Sequence, residues 1–246
     1  MSKSSKHPQS KSMTSFVEVK SYFKRFWRFI WYDDSLLSWV TSILLAFILI
    51  KFIFFPVLAF AFATPLPLVA VVSGSMEHKG VGQCDVTAMG GICMKSQKEP
   101  LFICGVETVY KRHSLSQFWS KCGDWYEERN ITQAQFSNFS FTRGFNTGDV
   151  MLIRGKDFAQ VSVGDVIIFG ARDGTPIIHR VVARNADGTL QTKGDHNIDS
   201  IMSGPRQEMR ITQEQYIGTA ILRIPLIGNV KLWSLKGYYY IVSVLR

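Results

Sequence analysis

Residues Leu36 to Leu58 form an almost unbroken apolar run carrying a single charge, Lys51. As a helix rising 1.5 Å per residue, such a run covers a hydrocarbon core of about 30 Å. A cleaved secretory signal is the rival, but its apolar core is shorter, roughly 7 to 15 residues, and starts nearer the N-terminus. The run therefore reads as a retained membrane anchor. Lys51 fits a lysine that lays its stem along the outer half of the helix and lifts its ammonium toward water, although an ionisable group within a span is also a common mark of function. Composition agrees, at 46% hydrophobic and 19% charged with a mean hydropathy of +0.07.

The flanks set the orientation. Lys3, Lys6, Lys11, Lys20, Lys24, Arg25 and Arg28 precede the run against only Glu18, Asp33 and Asp34, the bias of a cytoplasmic flank. Everything after about residue 60 is then outside the cytoplasm, across a cell or endoplasmic-reticulum membrane. The net charge of +9 invites a nucleic-acid partner, but the basic cluster beside the span accounts for it, and no nucleic acid is expected. Residues 1–15 are polar and Ser/Lys-rich, a composition that stays disordered. From Val19, apolar Val19, Phe23, Phe26, Trp27, Ile30 and Trp31 recur at helical spacing with the bases mainly opposite, as in a helix lying in the inner interface against anionic lipid. Residues 1–35 are thus read as a basic tail with an interfacial helix, and 36–58 as the transmembrane helix. Pro56, Pro65 and Pro67 favour extended chain after it.

All four cysteines, Cys84, Cys93, Cys104 and Cys122, follow the span in one window, and an even set in an exported segment forms disulfides. Three pairings are open. Zinc is the alternative, but the spacing lacks the close pairs of a structural site, so neither metal nor cofactor is expected. Asn130-Ile131-Thr132 and Asn138-Phe139-Ser140 are N-glycosylation acceptors. The window 80–145 reads as an inserted, disulfide-bearing lobe. Before and after it, 59–79 and 146–230 form one domain, in which short β-branched runs alternate with Gly-Asp turns: Val150–Ile153, Val166–Phe169, Ile177–Val182, Thr189–Lys193 and Ile217–Ile224. The fold class is mostly β. The last segment, 231–246, mixes Lys231 and Lys236 with Trp233 and Tyr238 to Tyr240, too short for a second span and suited to a membrane interface.

Ser75, in Ser73-Gly74-Ser75-Met76, stands where an apolar extended run turns. A serine there is ordinarily a turn residue, and becomes a nucleophile only with a base and oxyanion donors beside it. His179, within a strand, is the base candidate. Asp195, in Lys193-Gly194-Asp195-His196-Asn197, is the candidate acid to orient it, with a plain turn aspartate as the bland alternative.

In this order behind an N-terminal anchor, Ser73-Gly74-Ser75-Met76, Gly164-Asp165-Val166-Ile167, His179-Arg180-Val181-Val182 and Thr192 to Asn197 resemble the type I signal peptidases. The branch is the archaeal and endoplasmic-reticulum one, because His179 stands where the bacterial branch carries a lysine. The resemblance implies a coiled antiparallel sheet, a Ser75 nucleophile and a His179 base. It also implies Asp195 as acid with Asp199 as helper, and an oxyanion site at the Ser75 amide and Ser73 hydroxyl. Val71, Val72 and Ile178 are the expected substrate contacts, and the partners implied are preprotein signal peptides and the translocation channel. This chain departs from the family in the long insertion between Ser75 and His179, and in Ile201, which stands where the family carries a second aspartate. The reading from a different class is a non-catalytic, single-pass ectodomain for partner binding or assembly, in which Ser75 and His179 need not meet.

Overall fold

The computed structural model describes residues 11–82 and 100–225. Cys84, Cys93 and the C-terminal aromatic segment lie outside the described residues. The chain divides into two compact units that meet at Leu58 and Ala59.

In the first unit, helix α1 runs Lys11–Tyr32, so helix begins within the stretch expected to be an irregular tail. Phe23, Trp27 and Trp31 follow one another at four-residue intervals, the first pair stacked and the second tilted, with ring centroids 6.2 and 5.7 Å apart. Ser35 then caps α2, Leu36–Leu49, by accepting from the Ser38 amide. Ser38 is buried, and its hydroxyl donates to the Phe29 carbonyl, tying α2 to α1. The apolar helix does not stop at Pro56. It widens into a π-turn at Ile50–Phe54 and resumes as α3, Phe55–Ala61. Proline lacks an amide hydrogen and crowds the preceding turn, and a π-turn, in which the Phe55 amide reaches back to the Ile50 carbonyl, absorbs both effects. Lys51 sits in that turn over the Phe47 and Phe52 rings. From Leu36 to Ala61 the helix is long and apolar enough to cross a membrane, with a mean hydropathy of 2.8, and it is the one such helix among the described residues.

The second unit is built on a six-stranded antiparallel sheet of order β1-β5-β9-β6-β7-β8. The strands are β1 (Leu68–Ala70), β5 (Val150–Arg154), β6 (Val166–Gly170), β7 (Pro176–Arg184), β8 (Leu190–Lys193) and β9 (Tyr216–Ile224). A three-stranded sheet holds β2 (Val81–Gly82), β3 (Leu101–Ile103) and β4 (Val106–Thr108). Central β6 is buried on both faces, and its uninterrupted apolar run is the consequence. Val166 and Ile168 join Met151 and Ile153 in one core, while Ile167 and Phe169 join Val181 and Leu190 in another.

Within the window 80–145, α4 (Leu115–Glu127) and α5 (Gln133–Ser137) each start at a reciprocal cap, Ser114 with Gln117 and Thr132 with Gln135. Phe118, Trp119, Tyr126 and Phe136 form an aromatic core that includes Val182 of β7. Cys104 and Cys122 form a disulfide between the turn after β3 and α4. Asn130 and Asn138 are both exposed.

Candidate active site

A strand alternates its side chains between the two faces of the sheet, and on β7 that alternation separates two neighbours with different tasks. Arg180 shares a face with Val182 and turns toward the aromatic core of α4 and α5. His179 shares the opposite face with Val181. β6 and β8 fix the register through the Ile167–His179 and Arg180–Lys193 pairs.

On the His179 face, the loop after β1 brings Ser75 back to the strand. His179 Nε2 lies 2.8 Å from Ser75 Oγ, although the two are 104 residues apart in sequence. The Ser73 hydroxyl is 3.1 Å from that of Ser75. Ser75 is half-buried and His179 nearly enclosed, so the hydroxyl keeps a route to solvent while the ring is shielded. The backbone of the serine is gripped from behind. His196 N donates to the Ser75 carbonyl at 2.8 Å, and Asp195 N lies 3.4 Å from Met76 Sδ. Gly194 permits this approach, because a Cβ there would stand 2.8 Å from His179 Nε2, from the Ser75 carbonyl oxygen and from Asn197 Nδ2.

Gly194→Ala is therefore expected to leave folding cooperative while pushing the ring and the hydroxyl apart. A displacement of about 1 Å between reacting groups costs about 10²-fold in turnover. The check is kcat for hydrolysis at Ser75 beside the thermal midpoint of the same sample.

The carboxylate facing His179 is neither of those expected from the sequence. His179 Nδ1 is in contact with Oε1 of Glu208. Asp195 lies on the other side of the strand. Arg180 Nε and Nη2 each donate to it at 2.8 Å, His78 Nε2 is 3.0 Å away, and the Tyr126 hydroxyl donates at 3.2 Å. Burial alone would raise the Asp195 pKa, but the Arg180 charge and the hydrogen bonds from His78 and Arg180 hold it well below the usual carboxylate range. The same group acts on its neighbours, since burial and the Asp195 charge push the Tyr126 phenol well above its ordinary value. Arg180 spends its remaining donors on the carbonyls of Ser140, Phe141 and Gly164. Asp195 thus joins β7 to the inserted segment. Asp199 accepts from Trp125 Nε1 at 2.9 Å and is likewise turned away from His179. Lys193, on the Arg180 face, is buried against Trp125 and Tyr126, and burial lowers its pKa to about 8 against the opposing pull of Asp195, Glu208 and Asp199.

Of the expected substrate contacts, Val71 is 3% exposed and belongs to the core with Met76 and Phe145. Its amide and carbonyl are engaged by Asp149 and Gly148, so it lines no open surface. Val72, one step along the chain, is 60% exposed, and Ile178 is half-buried at the edge of the same core. A cleft of about 720 Å³ lined by Arg154, Lys156, Asp165 and Thr219 contains none of these groups.

A serine hydroxyl on an imidazole whose other nitrogen meets a buried carboxylate is the arrangement used by serine hydrolases, here on an antiparallel sheet. The sequence is similar to proteins called "Signal peptidase complex catalytic subunit SEC11". The one from Yarrowia lipolytica is 29% identical over 113 residues, which is 43% of this chain and 64% of that protein. The one from Candida albicans (strain SC5314) is 29% identical over 113 residues and 67% of its length. The one from Zygosaccharomyces rouxii is 31% identical over 107 residues and 64% of its length. The chain spans about two thirds of the length of these curated relatives. No family model matches it. The likeness to these catalytic subunits covers 41–43% of this chain.

Proposed function

We propose that this chain is a membrane-anchored serine endopeptidase that removes N-terminal signal peptides from exported preproteins on the luminal, non-cytoplasmic face of the endoplasmic-reticulum membrane, working within a signal peptidase complex. The observation that carries it is the 2.8 Å contact between Ser75 Oγ and His179 Nε2 across 104 residues of sequence. A non-catalytic ectodomain has no need to bring these two groups together.

The contact between Ser75 and His179 supports the following chemistry. Ser75 Oγ attacks the scissile carbonyl carbon as its proton passes to His179 Nε2. The carbonyl oxygen, now an oxyanion, is held by the Ser75 amide with help from the Ser73 hydroxyl. Collapse of the tetrahedral intermediate breaks the C–N bond, and His179 returns the proton to the leaving amine. Water then attacks the acyl carbon as it gives one proton to His179; collapse breaks the ester bond, returns that proton to Ser75 and frees the signal peptide as a carboxylic acid that ionises to solvent. Substrate lies extended past Val72 and Ile178, and β1, an edge strand among the described residues, can pair with it. A cleavage site emerging just beyond its own apolar segment meets a serine that follows this chain's anchor by only a short extended stretch.

The test is cleavage of a reporter preprotein by the chain purified in mild detergent with whatever subunits accompany it. Wild type is expected to cut after a small residue, and Ser75→Ala to lose about 10⁴-fold or more of that turnover. Equal cutting by both proteins makes Ser75 a turn residue and ends the proposal.

A further inference from the structure

We infer that Glu208 is the positioning residue for His179, taking over in space the task for which the sequence offers Ile201. This inference rests on the serine peptidase function proposed above. The family to which the motifs point carries an acid at the position of Ile201, and an isoleucine there has no group to hold an imidazole. The vacancy is filled by a loop. The chain leaves β8, turns through Gly194 to Asn197, and comes back so that Glu208 N donates to the Ile201 carbonyl at 2.7 Å. Ile201 N in turn donates to Glu208 Oε2 at 2.8 Å. The Glu208 carboxylate therefore sits directly on the backbone of residue 201, arriving from seven positions further along the chain.

The other partners of this carboxylate fit one purpose. Glu208 is fully buried. One oxygen, Oε2, is occupied by the Ile201 amide, while Oε1 accepts from the Thr192 hydroxyl at 3.2 Å and meets His179 Nδ1. Its backbone is pinned as well, since Thr192 N donates to the Glu208 carbonyl at 3.0 Å. A carboxylate has no proton to offer, so Nδ1 must be the donor in that contact. Nε2 is then left as the acceptor, and the atom facing it is Ser75 Oγ. Glu208 thereby selects the one neutral tautomer able to receive the serine proton, and its negative charge opposes the positive charge that the ring gains in the transition state. An aspartate at 195 cannot do this, because Arg180 holds it on the opposite face of the strand.

Two measurements decide the matter. In the first, kcat and KM for preprotein cleavage are compared between wild type and Glu208→Gln, which keeps the shape and removes the charge. The expected result is a fall in kcat of about 10³- to 10⁴-fold with KM held within about threefold, because the interaction strengthens only in the transition state. A role confined to holding the loop moves KM and the thermal midpoint together with kcat. Turnover of a folded Glu208→Gln within about tenfold of wild type overturns the inference. The second measurement leaves Glu208 in place: ¹⁵N-histidine NMR of the wild-type chain in detergent, with the His179 signals identified by their loss in His179→Ala. Protonated Nδ1 and bare Nε2 in the neutral ring are expected, and the opposite tautomer overturns the inference. If wild type fails to cleave, or Ser75→Ala cleaves equally, the peptidase function falls while the tautomer still reports whether Glu208 orients the ring.

Discussion

His179→Ala is expected to abolish preprotein cleavage, by about 10⁴-fold or more, in a chain that still folds. The loss follows from position. Nε2 is the atom within reach of the Ser75 proton at 2.8 Å, and no other imidazole or lysine contacts Ser75 among the described residues. Survival of the fold follows from what the substitution leaves behind. Glu208 retains the Thr192 hydroxyl and the Ile201 amide as donors. The lost hydrogen bond and the small cavity then cost about 1–3 kcal/mol, within the stability of an ordinary domain. Cleavage rate and a denaturant transition on the same preparation separate the two effects. Turnover near the wild-type level in folded His179→Ala removes His179 from the mechanism.

Asp195→Asn is expected to fail in the opposite way, by unfolding rather than by loss of chemistry alone. Asp195 and Arg180 are both fully buried and joined through two hydrogen bonds of 2.8 Å. Removing the carboxylate charge leaves a buried guanidinium without its counter-ion, at a cost of about 3–5 kcal/mol. Since Arg180 also ties β7 to the carbonyls of Ser140 and Phe141, the inserted segment is expected to loosen first. Early proteolysis between α4 and Ser140 reports that loosening. Acid has the same target. The native Asp195 carboxyl binds its proton less readily than the unfolded one, so the unfolded state takes up more protons as pH falls. The contribution of Asp195 is therefore complete above the unfolded pKa of about 4 and drains away below it. Wild type is expected to lose stability more steeply below that pH than Asp195→Asn does. Asp195→Asn that melts like wild type but no longer cleaves returns Asp195 to the role that its motif suggests.

Where the physics is local, the sequence could be read directly. The span from Leu36 is a matter of consecutive apolar residues, and its start at Ser35 is a cap chosen within one turn. The β5, β6, β7, β8 and β9 strands announce themselves by β-branched runs between Gly-Asp turns. Pro56 was less legible. Proline disfavours helix interiors, yet here the apolar stretch around it carries the helix through a π-turn to Ala61. Local propensity lost to the continuity of the helix on either side. Similarly, Val71 and Val72 look alike in the sequence, and only the tertiary packing assigns one to the core and the other to the surface.

The sequence alone determined the long apolar helix, the mostly β character of the second unit, and the nomination of Ser75 and His179, because runs, periodicity and turn residues act over a few positions. The tertiary structure decided which carboxylate each side of β7 receives. Successive side chains on a strand face opposite ways, so Arg180 draws Asp195 to one face while His179 is left for whatever acid the loop after β8 delivers to the other. That acid is Glu208, a lone glutamate with no local signature. Its meeting with His179 depends on the path of a loop and the register of three strands, which are set by burial and hydrogen bonding across the whole unit.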